Sequence, residues 1–176
     1  MGNKLETKKQ DIAKTSSIKL LKIYSPKNCM AHSGKVRTIQ DAMNADTLSI
    51  GALQRQNGRK FSEALIKAWL VYLNDILNLN KPMTEDQIEM CAIEIVNEYY
   101  AMKFSDLTLL FKRIIAGEFG EFYESLSIPK VLSFFRNYYD ERCNLAMEQS
   151  QREHSDRMSE ETFNIFKNVK RILRSN

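Results

Sequence analysis

The chain has 176 residues, enough for one domain with its own apolar core and no need of disulfides or a structural metal. Its 43% apolar content excludes a globally disordered protein, and no run approaches the ~18 apolar residues that a membrane span requires. Charge is uneven: residues 1–37 hold nine Lys/Arg against two Asp/Glu, while residues 38–176 hold 17 against 20, so the net +4 comes from the first segment. Three widely spaced cysteines, Cys29, Cys91 and Cys143, argue against a disulfide framework and for a reducing, cytoplasmic setting.

Residues 1–17 are lysine-rich and aperiodic, and read as a disordered basic segment without the apolar stretch of a secretory signal. "MGNKLE" lacks the Ser/Thr that a myristoylation site carries at position 6. Ile18, Leu20, Leu21, Ile23 and Tyr24 suggest a short strand or docked extended segment, ended by Ser25-Pro26; "CMAHSGK" reads as a loop. Domain limits are set at 1–37 for a flexible basic arm, 38–149 for a helical core, and 150–176 for a polar linker with an amphipathic helix.

Residues 38–58 read as two short helices. Thr38 caps the first, Thr47 or Ser49 caps the second, and Asn57-Gly58 ends it. The pair resembles a helix-turn-helix only loosely, because Arg55 is the one cation on the second helix, so packing is the preferred reading. Phe61, Leu65, Trp69, Tyr72 and Ile76 then repeat at helical spacing, with Ala68, Leu73 and Leu77 widening the stripe of a central helix. "TEDQ" supplies a capping box from Thr84 to Gln87 for a helix over 85–102 that buries Ile88, Cys91, Ala92, Ile95, Val96 and Tyr99. Ser105 is expected to cap the next helix, whose inner face is Leu107, Leu110, Phe111, Ile114 and Ile115.

The turn "GEFGEFY" places Gly117 just past that helix, where a left-handed backbone favours glycine, with Gly120 three residues on. Phe119, Phe122 and Tyr123 are expected to turn inward and lock the adjoining helices, leaving no cleft for a reaction. Ser127 and Pro129 start a last helical stretch through Val131, Leu132, Phe135, Tyr138, Tyr139, Arg142, Leu145 and Ala146. Beyond Met147 the chain is almost wholly polar, so the helix either extends into solvent or breaks near Ser155 to Ser159 before the amphipathic Phe163, Phe166, Val169, Ile172 and Leu173.

Little here carries chemistry. There is no P-loop, nucleophile elbow or zinc-protease motif, and "GEFG" follows a helix where a phosphate-binding loop follows a strand. Glu118, Glu121 and Glu124 cluster near a helix start, where acidic residues are usually structural. Cys29 and His32 have ligand spacing, but a structural zinc needs four ligands and the only other histidine is His154. The reading is therefore a non-enzyme with no metal and no cofactor. Eleven of the 17 aromatics lie between Tyr99 and Tyr139 at core spacing, yet neighbours on a helix point ~100° apart, so one tyrosine of each doublet should reach the surface. Tyr100, Arg136, Tyr139 and Arg142 are the candidate partner-binding rim.

The paired Tyr99-Tyr100, Asp106 near a helix start, the Gly117 to Phe122 turn and Tyr139 to Arg142 together resemble a family of uncharacterised helical proteins of Bacteroidales genomes, their phages and mobile elements. The resemblance spans residues ~38–146, and the glycine–aromatic turn is its most specific part. It brings no assigned activity. The helical arrangement is also similar to the small domains of replicative helicase loaders, an analogy of pattern.

The sequence thus predicts an all-α bundle of about five or six helices with a basic N-terminal arm and a long or broken C-terminal helix. The function expected is that of an accessory protein of a phage or mobile element in DNA replication. It would dock on a protein such as a replicative helicase, while Lys4, Lys8, Lys9, Lys14, Lys19 and Lys22 touch nucleic acid nonspecifically. The alternative is a protein-only module or homo-oligomer assembled through the last helix, without nucleic acid or membrane.

Overall fold

The computed structural model describes residues 17–120 and 125–174, with side chains as far as residue 161. The described residues form an all-α protein whose pairings outside helices are two isolated β-bridges, Ser49 with Lys103 and Lys81 with Ser125. No described helix is long and apolar enough to cross a membrane. The chain divides into two compact units, Met1–Tyr139 and Asp140–Asn176. Helices in order are α1 (residues 17–23), α2 (Pro26–Ala31), α3 (Ile39–Asn44), α4 (Ile50–Asn57), α5 (Arg59–Leu77), α6 (Glu85–Glu98), α7 (Phe104–Ile115) and α8 (Ile128–Arg174). A 3₁₀ turn, Ser33–Lys35, follows α2.

The expected extended segment at 18–24 is a helix, and the expected loop after it is α2 and the 3₁₀ turn. Leu20 and Tyr24 lie four apart and both turn inward, while Ile18, Leu21 and Ile23 stay exposed; a strand would have put Ile18 on the same face as Leu20 and Tyr24. Ser25-Pro26 starts a helix instead of ending a strand. The Ser25 side chain accepts from Asn28 N–H, and Pro26 sits at the first helical position, where its missing N–H costs nothing. Tyr24 holds these helices to the body. Its ring stacks on Phe104 at 4.4 Å, its hydroxyl accepts from Leu48 N–H at 3.1 Å, and its carbonyl accepts from Trp69 Nε1–H at 3.0 Å.

Helices α5 and α6 form a hairpin closed by the Asn74 side chain, which donates to Met83 O at 2.8 Å and accepts from Met83 N–H at 3.1 Å. The Thr84/Gln87 capping box and the inner face of α6 are as expected. On α5 the buried stripe is Ser62, Leu65, Ile66, Trp69, Leu70 and Leu73, turned from the expected line, so that Ala68 and Ile76 are exposed and Phe61 and Tyr72 only half-buried. Trp69 meets Phe111 edge-on at 4.9 Å, and Phe111 meets Phe135 the same way at 6.4 Å, joining α5, α7 and α8 through one aromatic chain.

Helix α7 is the central element, buried from Phe104 through Phe111 with Ile114; Ile115, expected inside, is exposed. It begins one residue before Ser105, at Phe104. Lys103 is the N-cap, and its N–H donates to Asp106 Oδ2 at 2.7 Å, so the carboxylate of the third helical residue, in the first turn, serves the helix entry. Ser105 instead closes a different helix: its hydroxyl donates to Ala42 O at 2.7 Å, at the C-terminal end of α3. Lys103 Nζ adds donations to Met43 O at 2.7 Å and Ala45 O at 2.9 Å. The start of α7 thus supplies donors to Ala42 O and Met43 O, which α3 leaves without intrahelical partners, and to Ala45 O just past it, and the cation sits at the negative end of that helix.

The exit of α7 follows the expected course. Gly117 has φ +78°, Gly117 N–H donates to Ile114 O, and Glu118 N–H donates to Arg113 O. This is a Schellman termination, reinforced by the Arg113–Glu118 ion pair at 2.6 Å. Phe119 is half-buried and turns in against Phe134 at 5.3 Å, with the Arg113 guanidinium 5.2 Å above its ring. Phe122 and Tyr123 lie outside the described residues. Helix α8 is continuous from Ile128 to Arg174, without the break considered near Ser155 to Ser159. Its first turns bury Val131, Phe134, Phe135 and Tyr138. The apolar residues from Phe163 onward lie beyond the described side chains.

Candidate interaction surfaces

Helix α4 approaches the α6–α7 corner so closely that backbones touch. Ile50 N–H donates to Met102 O at 2.9 Å and Gly51 N–H to Tyr100 O at 2.7 Å. A methyl group at Gly51 would meet Tyr100 O at 3.1 Å, so only glycine lets the two segments lie together without displacement. The helix expected over 85–102 ends at Glu98, so Tyr99 is its C-cap and Tyr100 lies in the turn beyond, and the two side chains still diverge. Tyr99 turns inward, 4% exposed, and packs on Phe135 and Tyr139, each with ring centroids 5.5 Å away. Tyr100 is 57% exposed while its backbone is fixed by Gly51.

The candidate rim is therefore only partly assembled as expected. Arg136 is exposed and interacts with the buried Tyr99 hydroxyl, not with Tyr100. Burial, with Glu98 nearby, raises the Tyr99 phenol above its ordinary range, and Arg136 opposes the rise. Tyr139 is half-buried against Tyr99. Arg142 is half-buried and falls in the second unit. The residue that stands out on this corner is Tyr100, an aromatic on a pinned backbone.

Of the candidate nucleic-acid contacts, Lys19 and Lys22 lie exposed on α1, and Lys4, Lys8, Lys9 and Lys14 lie outside the described residues. The structure adds Lys27, Lys35 and Arg37, all exposed and on α2 or just after it. Residues 17–40 carry five Lys/Arg and no Asp/Glu, so the first two helices and the turn after them present positive charge without an acidic neighbour in the same stretch. Asp41, the next carboxylate, is turned to local use. It accepts from Arg37 N–H and Thr38 N–H at 3.0 Å each, and these bonds lower its pKa.

A cavity of about 250 Å³ opens beside the N-terminal end of α7, between α1, α2, the 3₁₀ turn and the segment around Ala45 to Thr47. Cys29 and His32, three apart in sequence, both line it. Among the described residues no cluster of three or more His, Cys, Asp or Glu side chains is placed to hold a metal ion. Burial pushes the Cys29 thiol up to about 11, against a hydrogen bond with Thr108 that lowers it, so the sulfur is a poor nucleophile at neutral pH. Sequence reading missed this cavity because its wall comes from three separate segments. The one local signal was Cys29 and His32 together in a stretch taken for a loop.

No family model matches the chain, and neither the curated proteins nor the solved structures give a match.

Proposed function

We propose that this protein is a non-catalytic accessory protein, of the kind carried by a phage or mobile element, that joins nucleic acid to a protein partner. The observation that carries the reading is the stretch of residues 17–40, which holds no Asp/Glu and exposes Lys19, Lys22, Lys27, Lys35 and Arg37. Phosphate backbones are recognised by such charge without sequence reading, and the lysines of residues 1–14 add to the same sign. Tyr100 suits the protein side: a large ring on a fixed backbone loses little entropy on docking, and tyrosine is among the residues that dominate interfaces. On the likeness to helicase loaders, the partner is a replicative helicase.

The buried polar groups support a structural assignment for the core. Asp106, wholly buried, accepts from Lys103 N–H and Tyr138 Oη–H and so holds two helices together. The test is fluorescence anisotropy with a labelled 30-mer duplex between ~25 and ~200 mM KCl. Affinity should fall steeply with salt, and Lys19→Glu with Lys22→Glu should lower the log–log slope by about 2. No binding at the lowest salt, or an unchanged slope in the double variant, rejects the nucleic-acid role and leaves the protein-only module.

A further inference from the structure

The cavity beside α7 has the chemistry of a small-molecule site. Ile23, Tyr24, Val36 and Phe104 give it apolar walls, and its interior hydroxyls are already committed. Thr108 Oγ1 donates to Phe104 O at 2.7 Å and Ser105 Oγ donates to Ala42 O at 2.7 Å. The Cys29 thiol points to Ile23 O at 3.5 Å. A guest therefore finds a dry lining that favours hydrocarbon over a polar body. Two further lining residues, His32 and Lys35, are exposed and mark the rim. His32 Nδ1 donates to Asn28 O at 2.8 Å, so Nε2 of the neutral ring is an acceptor and the donor for an anion at this rim is Lys35. Lys35 adds a full positive charge, and among the described residues no carboxylate lines the cavity.

Apolar walls beneath a cationic rim select an amphiphile with an anionic end. Size follows from volume: a cavity of about 150 Å³ takes one benzene, so this one accommodates about ten non-hydrogen atoms. We propose that the cavity binds a small apolar carboxylate, its hydrocarbon against Tyr24, Val36 and Phe104 and its carboxylate at Lys35. This inference does not rest on the DNA-binding reading above, although Lys35 also belongs to that basic stretch.

Octanoate, with ten such atoms, is the probe, and 1-octanol is its uncharged control. Titration of the full chain, followed by calorimetry and by amide NMR shifts, should give saturable binding of octanoate with a Kd on the order of 0.1–1 mM. Shifts should concentrate at residues 23–36, 45–47 and 104–108. Lys35→Gln should weaken octanoate about tenfold and leave 1-octanol unchanged, the loss of one charge-assisted contact. Val36→Trp should fill the cavity and abolish both. The proposal fails if octanoate moves no amide in those segments, if 1-octanol binds the unaltered chain as tightly as octanoate, or if a folded Val36→Trp variant binds undiminished. Should that variant not fold by circular dichroism, the location of the shifts in the unaltered chain decides alone.

Discussion

Replacing Asp106 should remove a buried polar tie between α7 and α8. The side chain is 0% exposed, its Oδ2 accepts from Lys103 N–H at 2.7 Å, and its Oδ1 accepts from the equally buried Tyr138 hydroxyl at 2.9 Å. Hydrogen bonds to a charged group contribute about 1.5–3 kcal/mol each, so Asp106→Ala should cost about 3–5 kcal/mol. That is a large part of the ~5–15 kcal/mol by which a domain is stable. With a urea dependence of about 2 kcal/mol per molar, the unfolding midpoint should drop by roughly 1.5–2.5 M. Tyr138→Phe should cost about 1.5–3 kcal/mol. Asp106→Asn, which keeps one acceptor oxygen, should fall between the unaltered chain and Asp106→Ala. The assay is urea unfolding followed by circular dichroism on the two single variants and their double, with a coupling of about 1–2 kcal/mol expected. Additive single costs would refute the claim that the two side chains act on each other, and a Tyr138→Phe cost below about 0.5 kcal/mol would refute the tie itself.

Lys103→Met keeps the aliphatic stem and removes the donations to Met43 O and Ala45 O, so α3 should exchange its amide hydrogens faster, at a cost of about 1–3 kcal/mol, while α5 and α6 keep their protection. Gly117→Ala should cost about 1–2 kcal/mol through its φ of +78° alone, since open space surrounds that position; Gly34→Ala, with open space and no such φ, is the control and should be near neutral in urea unfolding. Cys29 and Cys91, pushed up to about 11 and about 12 by burial, should resist iodoacetamide at pH 8 in the native state, as mass spectrometry would show. Both values lie above the ordinary 9.0, so the stability they contribute is complete below pH 9 and disappears as pH rises through 11 to 12. Asp41 has the opposite sign: its lowered pKa stabilises the fold above about pH 3.8, and that share is lost as pH falls through the lowered folded value. Asp41→Asn should flatten this acid limb of the stability profile.

Local signals in the sequence succeeded where one element decides its own structure. Thr84 and Gln87 satisfy each other across three residues, and the buried face of α6 needs only its own periodicity. Gly117 likewise follows from the end of one helix. Failures came where a distant segment decides. Ile18 and Ile23 suggested a strand because β-branched residues fit sheets, but the segment is fixed by Tyr24 against Leu48, Trp69 and Phe104. Ser105 looked like a cap for its own helix, yet its hydroxyl serves Ala42, 63 residues earlier. Tyr139 is the outer member of its doublet, as read, with Tyr138 wholly buried, but its ring also packs on Tyr99 from another helix end and so is half-buried. The cavity was illegible for the same reason, its walls being assembled from residues 23–36, 45–47 and 104–108.

The service that Lys103 and Ser105 perform for α3 also orders events during synthesis. A six-residue helix cannot hold itself in water, and here its closing donors are encoded some 60 residues downstream. While the ribosome has made only the first hundred residues, α3 has nothing to finish it. The early chain must wait for α7 to emerge, a long-range closure of the kind that slows folding.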